Sequence, residues 1–280
     1  MKRAGLFVIS FLCFFYSHGK QIEVCDSCEI KTISEAIKHA EDGDEILVKS
    51  GVYKEHDILV NKSVRIRGEG LPLVDGELKE TIFRITADHV SVSGLEIINV
   101  GQSYTKDFAA ILVSHSDGFI IENNIFKQVF FGILIEKSKN GIIRNNRVSS
   151  NAVSQSNSGN GIHLWHCSKM QVSHNELTGL RDGIYFEFVK ESKVFENLSY
   201  NNLRYGLHFM FSNNNAYHDN VFRNNGAGVA IMFSKFVKMY DNRFEHNWGT
   251  ASYGLLLKEI YDAEITDNVF EQNTIGISVD

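Results

Sequence analysis

Short stretches of alternating apolar and polar residues, each opened by a small residue, recur along most of the chain. They read A-I-L-V from Ala110, G-I-L-I from Gly132, G-I-H-L from Gly161, G-I-Y-F from Gly183, G-L-H-F from Gly206, G-V-A-I from Gly228, G-L-L-L from Gly254 and G-I-S-V from Gly276. The steps between them are 22, 29, 22, 23, 22, 26 and 22 residues. The alternation predicts β-strands, and the fixed period predicts a solenoid in which each repeat adds one coil.

An asparagine series follows the same steps. Its members are Asn124, Asn146, Asn175, Asn197, Asn220, Asn242 and Asn268, usually with an apolar residue two places on. Equivalent positions of neighbouring coils stack about 4.8 Å apart, so the asparagines are expected to bond coil to coil as ladders. The single proline, Pro72, fits strands that all use their N–H groups. The sequence predicts an all-β, right-handed parallel β-helix with about 22 residues per coil.

A short amphipathic segment precedes the coils. Thr32 and Glu35 have capping-box spacing, and Gly43 ends the run. Its apolar positions are Ile33, Ala36, Ile37 and Ala40. We expect an α-helix that covers the open strand edges of the first coil. The cap and first coils are assigned to residues 20–75 and the repeats to 76–280, where the chain stops within a repeat strand, as in a truncated β-helix.

The N-terminus has the pattern of a secretory signal over residues 1–19. Lys2 and Arg3 precede about a dozen apolar residues and then Ser17 and Gly19. The apolar run is shorter than the roughly 20 residues of a membrane span, and no later segment approaches that length. We therefore expect the mature protein to lie outside the cytoplasm, without a transmembrane segment of its own.

Composition narrows the class further. A hydrophobic content of 43% suits a folded chain, and the net charge of −6 gives no basic footprint for nucleic acid. In an oxidising compartment the close pair Cys25 and Cys28 favours a small disulfide over a metal site, because no second Cys or His pair lies at zinc-like spacing.

The alternation also predicts which side chains face outward. The first and third residues after each small residue are apolar and belong to the core; the second and fourth face outward. On adjacent coils the outward positions hold His163, Trp165, Tyr185, Glu187, His208, Met210 and Met232. Met210 and Met232 occupy the same position of consecutive coils, and His208 lies about 7 Å along the strand from Met210.

Thioether and imidazole donors suit Cu(I), whereas hard cations call for carboxylate oxygens. We therefore predict a copper site formed by His208, Met210, Met232 and His163, with Cys167, His166, Met170 and Glu187 as second-line candidates. An exposed stripe of Met, Trp and Tyr is equally typical of a protein-docking surface. The insertions at 149–160 and 246–252 fall beside it, and insertions in solenoids tend to decorate the binding face.

Several blocks of the chain resemble the NosD family, maturation proteins of nitrous oxide reductase. They are L-R-Y-G-L-H-F-M-F-S-N-N-N at 203–215, G-A-G-V-A-I-M-F-S-K at 226–235, Y-G-L-L-L-K-E-I at 253–260, T-I-S-E-A-I at 32–37 and G-D-E-I-L-V-K-S-G-V-Y at 43–53. The resemblance implies a periplasmic, non-enzymatic copper relay that carries the metal in transit. The implied partners are the ATPase and permease subunits of an ABC transporter, a copper chaperone lipoprotein and nitrous oxide reductase, whose copper-sulfide centre is assembled.

Two other functions remain open on the sequence. Polysaccharide lyases, hydrolases and epimerases often use a β-helix, and they need paired carboxylates or acids that bind calcium. The outward positions of the glycine-led strands hold only scattered acids, Glu136, Glu187 and Asp280. A passive surface adhesin is the third option, and it would not need the His and Met cluster.

Overall fold

The computed structural model describes residues 19–103, 105–249 and 252–280. Three parallel sheets run along a common axis, and each coil contributes one strand to each sheet in turn. Every neighbouring pair of strands within a sheet is parallel and separated by one coil of sequence, as in the pairing of Tyr205–Met210 with Ala227–Met232. The predicted right-handed parallel β-helix is confirmed.

The sheets are named here in the order in which a coil visits them. Sheet 1 stacks Gln21–Val24, Glu45–Val48, Arg65–Gly68, Ser91–Ser93, Ile120–Glu122, Ile142–Arg144, Gln171–Ser173, Lys193–Phe195, Ala216–His218, Lys238–Tyr240 and Glu264–Thr266. Sheet 2 stacks Val52–Lys54, Leu73–Asp75, Glu96–Ile98, Ile125–Lys127, Arg147–Ser149, Glu176–Thr178, Leu198–Tyr200, Val221–Arg223, Arg243–Glu245 and Val269–Glu271. Sheet 3 stacks Ile58–Val60, Phe83–Ile85, Ala109–Ser114, Phe131–Glu136, Ile162–Trp165, Ile184–Glu187, Tyr205–Met210, Ala227–Met232, Tyr253–Lys258 and Ile275–Val279.

The core runs down the axis between the three sheets. Inward side chains stack on their equivalents one coil away, as Phe186 does on Phe209 with ring centroids 4.9 Å apart. Phe222 and Phe244 continue this packing from sheet 2 and are fully buried. The glycine at position 206 of sheet 3 is required by close approach, since a Cβ at Gly206 would lie 2.7 Å from the carbonyl oxygen of Gly228.

The predicted asparagine ladder is confirmed. Asn197 donates from its side-chain nitrogen to Asn220 Oδ1 at 2.9 Å, and Asn220 repeats the contact to Asn242. The oxygens also accept from the backbone N–H groups of the preceding coil, so the corner between sheets 1 and 2 keeps its polar groups paired. A second ladder, which the sequence pattern did not reveal, links Asn202, Asn225, Asn247 and Asn273.

The cap helix spans Ile33–His39. Its N-cap Thr32 accepts from the backbone N–H of Glu35 at 3.2 Å, as the capping-box spacing predicted. The apolar face is buried, and it packs against the first strands of sheets 1 and 3. At the C-terminal end Lys62 donates to the carbonyl oxygens of Ile37, Lys38 and Ala40, which satisfies groups that a helix end leaves free.

Two expectations concern the N-terminal region. Cys25 and Cys28 are joined by a disulfide, as predicted. The signal assigned to residues 1–19 lies, except for Gly19, outside the described residues. Among the residues that are described, no helix combines the length and apolar character needed to cross a membrane.

A candidate soft-donor site on sheet 3

The two methionines lie side by side on the outer face of sheet 3. Met210 pairs in register with Met232 on the next coil, and His208 precedes Met210 by two residues on the same strand. Both methionines are half-buried. The Tyr185 hydroxyl donates to the Met210 sulfur at 3.5 Å, which holds the thioether against the preceding coil. The pairing of the methionines that the repeat predicted is confirmed.

His208 faces outward from the strand but is not exposed. Only 4% of the residue is accessible, so its outward direction does not bring the ring into contact with solvent. The ring stacks on Tyr185 at 4.7 Å and lies 4.8 Å from Tyr205, which precedes it on the same strand. Tyr185 and Tyr205 shield the imidazole from water. Strand alternation alone would predict that an outward side chain contacts water.

Burial also controls the charge of His208. Desolvation, with further repulsion from Arg204 and Arg181 and from His163, lowers its pKa from the ordinary 6.5 to about 3. The imidazole is therefore neutral at physiological pH, and one ring nitrogen keeps a lone pair for a metal. Neither ring nitrogen has a hydrogen-bond partner among the described residues.

His163 lies two coils away from His208 rather than beside it. Tyr185 stands between them, with its ring centroid 4.7 Å from each imidazole. Burial, followed by the charge of Arg181, lowers the pKa of His163 to about 3. The Tyr185 ring thus separates the two imidazoles. The role predicted for His163 stays a prediction.

The second-line candidates divide between the core and the surface. Cys167 is buried and directs its thiol to the Trp165 carbonyl at 3.3 Å, as Ser138, Ser212 and Ser234 do in equivalent turns with the carbonyl two residues before each. Burial raises the pKa of Cys167 to about 11, so the thiolate that would bind a metal is disfavoured. Met170 is 1% exposed and lies in the core.

The remaining second-line candidates, Glu187 and His166, lie on the outer side. Glu187 is half-buried and pairs in register with Met210. His166 is exposed and begins a stack of rings that continues through Phe188, Phe211 and Phe233 on successive coils, at 4.6, 5.1 and 5.0 Å. Phe211 directly follows Met210 and Phe233 directly follows Met232, so this stack of rings borders the methionine pair.

Sequence reasoning missed a buried polar cluster beside His208. Asp182 is 1% exposed and lies one residue before the glycine that opens its strand. Arg204 Nε is 3.4 Å from its Oδ1, and Arg181 Nε is 3.8 Å from its Oδ2. Asn160 accepts from Arg181 and lies 3.5 Å from the His163 ring, which ties the insertion at 149–160 to this face. The signal available in the sequence was the pair of arginines one coil apart.

The outward side chains of this face include the thioethers of Met210 and Met232 and the imidazole of His208. Across residues 19–103, 105–249 and 252–280, no three His, Cys, Asp or Glu side chains converge as a ligand set. Met210, Met232 and His208 offer thioether and imidazole donors of the kind that Cu(I) accepts. The fold and this site together define a parallel β-helix protein with a soft-donor face.

Residues 148–280 match the family described as periplasmic copper-binding protein (NosD), and residues 80–187 match the right-handed β-helix region. The chain is 27% identical over 129 residues to the probable ABC transporter binding protein NosD of Pseudomonas aeruginosa, covering 45% of this chain and 30% of that protein. It is 29% identical over 126 residues to the protein of that name from Stutzerimonas stutzeri, covering 44% of this chain and 29% of the relative. The match thus spans about a third of these relatives.

Among solved structures, the fold is similar to an alginate lyase from a Paenibacillus species, with a TM-score of 0.72 and 14% identity. That likeness covers 92% of this chain and 99% of the lyase. At this identity it establishes a shared β-helix and nothing about chemistry.

Proposed function

We propose that this chain is a periplasmic copper-handling accessory protein that helps to assemble the copper-sulfide centre of nitrous oxide reductase. The observation that carries the proposal is the pairing of Met210 with Met232 beside a neutral His208. These residues lie within the region that matches the periplasmic copper-binding family. Copper is the cargo of the protein, carried as Cu(I) and passed on.

The chemistry of the donors supports transient binding of copper rather than its storage. Thioethers are neutral, weakly basic ligands that suit Cu(I) and do not compete with protons near neutral pH. His208 likewise need not lose a proton before it binds a metal, because its ring is already neutral and one of its nitrogens carries a lone pair. A three-donor set without thiolate releases its ion more readily than a cysteine site does.

The proposed partners are the ATPase and permease subunits of an ABC transporter, a copper chaperone lipoprotein and nitrous oxide reductase. The names of the curated relatives support the transporter assignment. The aromatic ridge of Phe188, Phe211 and Phe233 beside the methionines supports docking at this face, since Phe188 and Phe211 are about two-fifths exposed (41% and 40%). The protein itself is proposed to be non-enzymatic, with ATP hydrolysis in the partner.

The test is competition for Cu(I) between the purified protein and a chromophoric chelator under anaerobic conditions. Met210→Leu and Met232→Leu keep side-chain volume and remove the sulfur, and we expect each to weaken binding by about tenfold or more, as for the loss of one ligand worth about 1.4 kcal/mol. Met239→Leu is the matched control, because Met239 is fully buried in the core. Equal affinity in the wild type and both outer variants would overturn the proposed site.

A carbohydrate-active enzyme is the competing function. The similarity to alginate lyase is one of fold, at 14% identity. Incubation with uronic-acid polymers and detection of unsaturated products distinguishes the two functions. Product release that tracks protein concentration would favour the enzyme over the copper relay.

A further inference from the structure

Asp182 is a buried carboxylate with incomplete pairing. Its Oδ1 accepts from the Tyr205 backbone N–H at 3.4 Å, and Arg204 and Arg181 approach through Nε at 3.4 and 3.8 Å. These contacts are longer than strong charge-assisted hydrogen bonds, which are about 2.7–2.9 Å. Burying a carboxylate is costly unless it is paired and hydrogen-bonded, and the contacts of Asp182 are long ones.

The His208 ring meets this carboxylate through one particular nitrogen. Nδ1 lies 4.0 Å from Asp182 Oδ2, while Tyr185 stacks on the ring and Tyr205 flanks it. A neutral imidazole carries one N–H and one lone pair, and which nitrogen has the proton is set by its surroundings. Because the ring is nearly closed to solvent, water does not decide between the two tautomers.

Electrostatics then selects the tautomer. At 4.0 Å the contact is longer than a direct hydrogen bond, but in a water-poor interior a carboxylate orients dipoles at this distance. An N–H directed at Oδ2 is attracted, whereas a lone pair directed at it is repelled. Burial raises the pKa of Asp182 above its ordinary value, while the nearby cations of Arg204 and Arg181 act in the opposite direction and favour the ionised carboxylate.

We propose that Asp182 is a positioning residue that holds His208 in the Nδ1–H tautomer, so that Nε2 presents the lone pair. The purpose of this tautomer rests on the proposed function, since Nε2 would be the copper donor. The tautomer itself can be tested without copper, because it is a property of the metal-free protein. Carboxylates that orient histidines in this way are a recurring support for metal ligands.

The first experiment is long-range ¹H–¹⁵N correlation NMR of the uniformly labelled, metal-free full chain at neutral pH. His208 is assigned from through-space contacts to Tyr185 and Ala230, its register partners on the two neighbouring strands. We expect a protonated Nδ1 and an unprotonated Nε2 in the wild type. An Nε2–H tautomer in the wild type overturns the proposal by itself, even if every variant fails to fold.

Variants test whether Asp182 is the cause. Asp182→Asn keeps the shape and removes the charge, and we expect it to give a mixture of the two His208 tautomers or the Nε2–H tautomer. The separate variant Asp182→Glu keeps the charge, and we expect it to retain the Nδ1–H tautomer at least in part. Asp219→Asn is the matched control, since Asp219 bonds His218 at 2.7 Å on sheet 1 and should leave the His208 signals unchanged. An unaltered His208 tautomer in folded Asp182→Asn contradicts the proposal.

A copper titration separates this inference from the proposed function. If Asp182 acts through His208, Asp182→Asn weakens Cu(I) binding about three- to tenfold in the wild type and has no further effect in His208→Ala. An equal effect in both backgrounds shows that Asp182 does not act through the ring and contradicts the positioning role. If the wild type binds no copper, the proposed function fails, while the NMR result still decides the tautomer.

Discussion

Asn220 donates from its side-chain nitrogen to the side-chain oxygen of Asn242, 2.9 Å away on the next coil. The same nitrogen bonds the carbonyls of Val194 and His218, and the oxygen accepts from Asn197. One buried side chain therefore joins three coils. Because each coil contacts only its neighbours, such links determine how cooperatively the solenoid unfolds.

We expect Asn220→Ala to destabilise the protein by about 2–4 kcal/mol, because it leaves several buried backbone and amide groups without partners. Urea unfolding followed by circular dichroism measures the change. Asn151→Ala, at an exposed loop position, is the control and should stay within about 0.5 kcal/mol of the wild type. A similar effect in both variants would show that the ladder adds little to stability.

Two phenylalanines separated by one residue are expected to respond differently to truncation. Phe209 is fully buried and stacks on Phe186, so Phe209→Ala should cost about 3–5 kcal/mol. Phe211 is 40% exposed and has a left-handed backbone with φ of 50°, so Phe211→Ala should cost under about 1.5 kcal/mol. Thermal unfolding of both variants checks the contrast. Equal losses would mean that the outer ridge is part of the core.

The thiol of Cys167 is predicted to be structural. It replaces a serine hydroxyl in a repeated turn, so Cys167→Ser should fold normally and bind Cu(I) with unchanged affinity. In the native protein the thiol should react with Ellman's reagent at pH 8 only after unfolding, since burial raises its pKa to about 11. A clear loss of copper affinity in Cys167→Ser would indicate that Cys167 is a copper ligand.

The stability of the metal-free protein is expected to depend on pH through His163 and His208. Their folded pKa values of about 3 lie below the ordinary 6.5, so the unfolded chain binds protons that the folded rings do not. This contribution to stability is present in full above pH 6.5 and is lost as the pH falls toward 3. Each histidine adds a slope approaching about 1.4 kcal/mol per pH unit.

Urea unfolding at a series of pH values between 7 and 4 measures that slope. His163→Phe should reduce the slope by the contribution of about one proton, while keeping a ring beside Phe131 and Tyr185. His115→Gln changes an exposed histidine and serves as the control. Parallel pH profiles for the wild type and His163→Phe would contradict the shift.

The sequence by itself determined the architecture because every coil of a β-helix must meet the same physical requirements. Each coil must place apolar residues inward and bond its corner to the next, so alternation and the spacing of Asn124, Asn146 and their successors were visible as a period. The cap helix followed from local capping chemistry at Thr32. The register of Met210 with Met232 followed from the period as well.

Only the tertiary structure decided the surroundings of the site. Alternation states that His208 points away from the core, but its burial depends on the stacking of Tyr185 from another coil and on Tyr205. Asp182 lies outside the strand pattern, and its approach to His208 results from the packing of one coil on the next. Side-chain direction is fixed by the local backbone period, whereas solvent access and electrostatic environment depend on neighbours that are distant in sequence.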